Sequence, residues 1–122
     1  MEKAKFIEHK GKKIFLLDFS GCQPAEMLPY IEECAHQVRS QPKKSVYTIT
    51  IAGGGAKFDA SVVDKLKQLT KDNEPYVIKS AVVGATGMQQ VVLMIVSNFS
   101  SRKFELFDDV EKAKAFFAAD LG

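Results

Sequence analysis

Tryptophan is absent, and only two cysteines and two histidines occur among the 122 residues. Each shortage removes a class of chemistry. Cys22 and Cys34 lack C-x-x-C spacing and no histidine is placed to complete a zinc set, so neither a disulfide framework nor a metal site is indicated. Nucleophilic catalysis needs a Ser, Cys or Thr beside a base that a third group orients. His9, at the end of a strand-like segment, and His36, opposite the apolar stripe of a helix, read instead as a strand-end and a surface histidine. The adjacent acids Glu32-Glu33 and Asp108-Asp109 would point about 100° apart on a helix, away from any common reacting atom. No catalytic residue and no cofactor is expected.

Charge of one sign is lacking as well. Seventeen Lys and Arg stand against 15 Asp and Glu, a formal charge of +2, alternating along the chain without a basic block. That argues against nucleic-acid binding. The longest apolar run, Val91 to Val96, is too short to span a bilayer, and Met1-Glu-Lys-Ala-Lys5 lacks the apolar stretch expected of a signal peptide. A cytoplasmic protein without a transmembrane segment is expected. The length suits one domain, residues 1–122, with one core between a sheet and its helices.

What is present is alternation of strand and helix. Lys3 to His9 and Lys13 to Phe19 read as strands of an antiparallel hairpin, the second, Ile14 to Phe19, apolar enough to be buried on both faces. A helix follows over Pro24 to Arg39 with Met27, Leu28, Ile31, Cys34 or Ala35, and Val38 as its stripe. Pro29 has no N–H, so regular helix is expected from about Glu26, with Pro29 in the first turn. Cys34 then packs in the core, while Cys22, in the loop Ser20 to Pro24, is open to exposure without basic neighbours to activate it. Later strands are expected over Ser45–Ile51, Tyr76–Gly84 and Arg102–Phe107. Helices are expected after Asp59, over Gly87–Phe99, and after Asp108-Asp109 with Val110, Ala113, Phe116, Phe117 and Leu121 inward. The fold class is α/β: a five-stranded mixed, mostly parallel sheet with about four helices and an N-terminal antiparallel hairpin.

Ser45 to Leu69 is the most informative stretch. A β-branched strand runs into the triplet Gly53-Gly54-Gly55, and Phe58-Asp-Ala-Ser61 opens an amphipathic helix, the geometry of a switch-point site where helix N–H groups meet a ligand. The loop from Ala52 to Phe58 is expected at the surface. Neither it nor Gly84-Ala-Thr-Gly87 matches the P-loop or dinucleotide spacing, so these glycines read first as turn formers. Gly53, Gly54, Gly55, Lys57, Asp59, Ser61 and Thr86 are the candidate ligand or partner residues.

The helix Met88 to Phe99 carries apolar residues in every direction, whereas a helix lying on a sheet needs one stripe. Something must cover its second face: another part of the chain, a second copy, a partner or lipid. If the helix docks through Val91 and Met94, then Met88, Val92, Ile95 and Phe99 form an apolar interface and the chain is a homodimer; the opposite docking swaps those faces.

In order along the chain, Leu17-Asp-Phe-Ser-Gly21, Gln41-Pro42, Lys57-Phe-Asp59, Asn73-Glu-Pro-Tyr76, Lys79-Ser-Ala-Val-Val-Gly84 and Phe107-Asp-Asp109 resemble the small single-domain bacterial STAS/SEC14-like proteins, relatives of the anti-sigma-factor antagonists. The resemblance runs nearly end to end. It implies a non-catalytic, regulatory binding domain that docks a protein partner or small ligand at the loop after the third strand. In the antagonist branch a serine following the Asp at this helix start is phosphorylated; here that position is Ala60, and Ser61 comes next. The family's Asp at the end of the preceding strand is Ile51 here. Both departures point away from that signalling mechanism. The alternative that SEC14-like relatives imply is a lipid or apolar-ligand module using the third helix.

Overall fold

The computed structural model describes residues 4–53, 55–100 and 103–120, so Lys3, Gly54, Arg102 and Leu121 of the expectations above lie outside it. Ala4–His9 (β1) and Lys12–Asp18 (β2) pair antiparallel around a turn in which Lys10 and Gly11 both take positive φ. Val46–Ile51 (β3), Val77–Val83 (β4) and Phe104–Phe107 (β5) then add in parallel, giving the strand order β1-β2-β3-β4-β5. Between the parallel strands lie Pro24–Arg39 (α1), Ala60–Asn73 (α2) and Met88–Ser100 (α3). Val110–Ala118 (α4) ends the order. This is the mixed α/β sheet with an opening hairpin that the alternation predicts.

Parallel strands laid down in sequential order, with crossovers of one hand, put every crossover helix on the same face. Period-two alternation in β3 serves the resulting two layers. Val46 joins Phe15, Leu17, Met27, Ile31, Val38 and Val62 in the core beneath α1 and α2. Tyr47 and Ile49 turn the other way, with Ile14 and Ala81 against Ala113 and Phe117 of α4. Thr48, on the crossover-helix side, is buried without penalty because its hydroxyl donates to Ser80 Oγ at 2.9 Å.

Two expectations are corrected here. Helix α1 begins at Pro24, not near Glu26, and Pro29 sits inside it beyond the first turn. The Gln23 N–H donates to Glu26 Oε1 at 3.0 Å and the Glu26 N–H to the Gln23 carbonyl at 3.0 Å, closing the first turn two residues early. Pro29 has no N–H to donate to the carbonyl of Ala25, and both residues lie on the exposed side of the helix, where the loss costs least. Cys22, open to exposure in the sequence, is buried, because the chain turns inward after Gly21 and the Cys22 N–H donates to the Phe19 carbonyl at 3.0 Å. Cys34 is buried in the α1 core as its spacing predicts, and burial pushes its thiol up to about 12.

Candidate functional site

The carboxyl ends of β3 and β4 bring the two glycine loops together. The Ala52 N–H donates to the Val83 carbonyl at 2.9 Å and the Gly84 N–H to the Phe107 carbonyl at 3.1 Å, carrying the ladder one residue past the strands. There Gly53 lies so close to Gly84 that a Cβ at position 53 would come within 3.1 Å of the Gly84 carbonyl oxygen. That close backbone approach is what these two glycines permit.

Gln89 ties the loops to each other. Its Oε1 accepts from the Thr86 N–H at 3.1 Å and its Nε2 donates to the Ala56 carbonyl at 3.2 Å. A third tie runs from the Lys57 N–H to the Cys22 carbonyl at 3.2 Å, so the loop after β3 is pinned on both flanks. Sequence reasoning missed Gln89. The signal was there: Thr86-Gly-Met-Gln89 has the spacing of a capping box, in which the fourth side chain reaches back to the first backbone N–H.

The expected surface loop is only partly at the surface. Gly55 and Lys57 are exposed, but Ala52 and Ala56 are buried, because the ties above draw small residues inward. Asp59 is the N-cap of α2: its Oδ1 accepts from the Val62 N–H at 2.9 Å and from the Ser61 hydroxyl at 2.8 Å. These bonds, the backbone one foremost, hold its carboxyl below the usual range. The α2 start is thus engaged by its own carboxylate and not held open as an anion cradle. Ser61 and Thr86 remain exposed. The structure therefore gathers Gly53, Gly55, Lys57 and Thr86 at one rim, with Asp59 and Ser61 at the adjoining helix start. This rim can pair an anion at the Lys57 ammonium and donate or accept hydrogen bonds at the Ser61 and Thr86 hydroxyls. His9 ends β1 and His36 lies on the exposed side of α1. Among the described residues no three His, Cys, Asp or Glu side chains gather as a metal set.

Helix α3 docks otherwise than through Val91 and Met94. Val92, 6% exposed, and Val96, 2% exposed, face the sheet, so Val92 is removed from the expected apolar interface. Met88 at 72%, Met94 at 64% and Phe99 at 48%, together with Val91 and Ile95, face outward. The loop tie decides this phase: Gln89 must point at Ala56, and Val92, Leu93 and Val96 share its side of the helix. Beneath them lies a cavity of about 70 Å³ whose lining includes Leu17, Phe19, Phe58, Val92, Val96 and Phe104. No described helix is long and apolar enough to cross a membrane. Compared with protein families, with curated proteins and with solved structures, the chain matches none of them.

Proposed function

We propose that this chain is a non-catalytic, STAS-like regulatory domain that docks a protein partner or small ligand at the rim made by the loops after β3 and after β4. The observation that supports the reading is the bracing of that rim. Gln89 uses both ends of its amide to fix two loops whose outward groups, Lys57 and Thr86, are left exposed. A surface already held in one arrangement loses little freedom when a partner binds, which is how preorganisation raises affinity. A photo-crosslinking residue at Thr86, introduced in the native host, should yield one discrete adduct, and Gln89→Ala should lower its yield. The same residue at His36, on the exposed side of α1, should yield none. Equal adducts at both positions, or none at Thr86, would refute a docking rim.

The cavity favours a second reading, an apolar-ligand module. At about 70 Å³ it exceeds the space one water needs but falls well short of the roughly 300–1,000 Å³ of ordinary ligand sites, so it would take a short apolar group and not a whole lipid. Native mass spectrometry of freshly purified against delipidated protein separates the readings: a bound mass lost on delipidation supports the cavity, and identical spectra remove it.

A further inference from the structure

Helix α3 contains no charged residue, in a chain of which 26% is charged. Met88, Val91, Met94, Ile95 and Phe99 form one continuous exposed face along it, as residues three and four apart do on a helix. Leu106 of β5, half exposed, adds to the patch across the groove that Leu93, Met94 and Phe104 also line. Patches of this kind on a small domain mark an interaction surface.

What surrounds the patch bears on what covers it. Lys67 and Lys71 of α2 hold their ammonium groups 5.4 and 5.6 Å from the centre of the Phe99 ring. Lys103 lines the groove on the β5 side, and Lys57 lines the depression beside Met88 at the loop end. Two carboxylates meet this set: Asp64 lies 4.0 Å from Lys67, and Glu105 lies 3.5 Å from Lys103. Lys57 and Lys71 have no ion-pair partner among the described residues. The patch is thus an uncharged apolar strip with lysines at both ends and along both sides.

We infer that this face seats on an anionic phospholipid surface, with the α3 strip entering the headgroup boundary and the lysines meeting lipid phosphates. An apolar helix face with a basic margin has the complementarity such a surface offers, and lysine stems can lie along apolar atoms while their ammoniums reach the headgroups. A second copy fits less well, because a two-fold contact pairs the patch with itself and sets one lysine margin against the other. The inference uses the outer face of α3 and shares only Lys57 with the loop rim; Ile95, Lys67 and Lys71, on which its test turns, lie outside that rim.

Co-sedimentation with vesicles tests it. The native chain should pellet with phosphatidylcholine–phosphatidylglycerol vesicles, not with phosphatidylcholine alone, and the bound fraction should fall as salt is raised. Ile95→Asp, at an exposed position, and the double variant Lys67→Gln/Lys71→Gln should each weaken binding about tenfold or more. Lys10→Gln, in the β1–β2 turn, should not. Circular dichroism checks that each variant folds; should Ile95→Asp unfold, the lysine pair carries the test. Failure to pellet with the anionic vesicles would overturn the inference. So would equal loss in Lys10→Gln, or sedimentation equilibrium showing a native dimer that Ile95→Asp splits while vesicle binding is unchanged.

Discussion

Two substitutions one turn apart on α3, Val92→Asp and Ile95→Asp, should differ sharply in stability. Val92 is 6% exposed and faces the apolar cavity; Ile95 is 42% exposed. Removing a buried valine side chain forfeits about 1.5–3 kcal/mol of burial. A carboxyl group placed there with no partner adds about 1–3 kcal/mol more, even when it avoids the full ionic penalty by taking up a proton. Together that is roughly 2.5–6 kcal/mol, a large part of the ~5–15 kcal/mol holding a domain of this size. The melting temperature should fall by about 10–20 °C. At Ile95 the same group reaches water, and the loss should be about 1–2 kcal/mol, from the covered part of the isoleucine and a small helix-propensity difference. The introduced carboxyl at 92 has its folded pKa raised above the unfolded value. Its neutral form is therefore favoured in the fold, the loss is smallest in acid, and it grows as pH rises through the folded pKa. Scanning calorimetry across acid and neutral pH reads both effects. Equal destabilisation at the two positions, or a larger one at 95, would refute the assignment of α3's faces.

Other outcomes follow from the same contacts. Ellman's reagent should label neither Cys22 nor Cys34 in the native chain and both in denaturant; rapid native labelling would show that the inward turn after Gly21 is wrong. Burial and a 2.6 Å bond from its hydroxyl to Asp120 push Tyr47 up to about 12, above the usual 10.0. Its contribution is present below about pH 10 and is lost as pH climbs toward 12, so alkaline melts should show a stability loss over that range that Tyr47→Phe flattens. At the α2 start, added charge would lie beside the Asp59 carboxylate that Ser61 already bonds. Ser61→Asp should therefore weaken partner docking while Ser61→Ala preserves it; equal binding by the two would rule out a switch at Ser61.

The sheet and its crossovers were legible because each element repeats a period that burial enforces. Tyr47 and Ile49 against Val46 and Thr48 already divide β3 between two layers, and Asp59 and Asp109 announce the starts of α2 and α4 by the backbone bonds they accept. Where two local rules compete, sequence reading erred. Pro29 argued for a late start to α1, but the Gln23–Glu26 pairing closed the first turn earlier, and Pro29 lies on the exposed side of the helix. At Cys22 the loop composition said nothing of the inward turn.

Helix α3 shows the deeper limit. An amphipathic helix can be phased from its sequence because only one stripe is apolar, whereas Val91 to Val96 offer apolar residues on all sides and any rotation about the axis buries some of them. Burial energy barely distinguishes the alternatives. A polar residue does, since each hydrogen bond its amide makes in one orientation alone adds about 0.5–1.5 kcal/mol net, whereas apolar burial is nearly the same at any rotation. Gln89 meets Thr86 and Ala56 in one orientation, and that orientation turns Val92 and Val96 inward and Met88, Ile95 and Phe99 out. The same side chain thus braces the loop rim and sets which apolar residues the helix presents. Gln89→Ala should loosen both: hydrogen exchange should quicken in the β4–α3 loop and in the first turn of α3, while β3 and β4 stay protected.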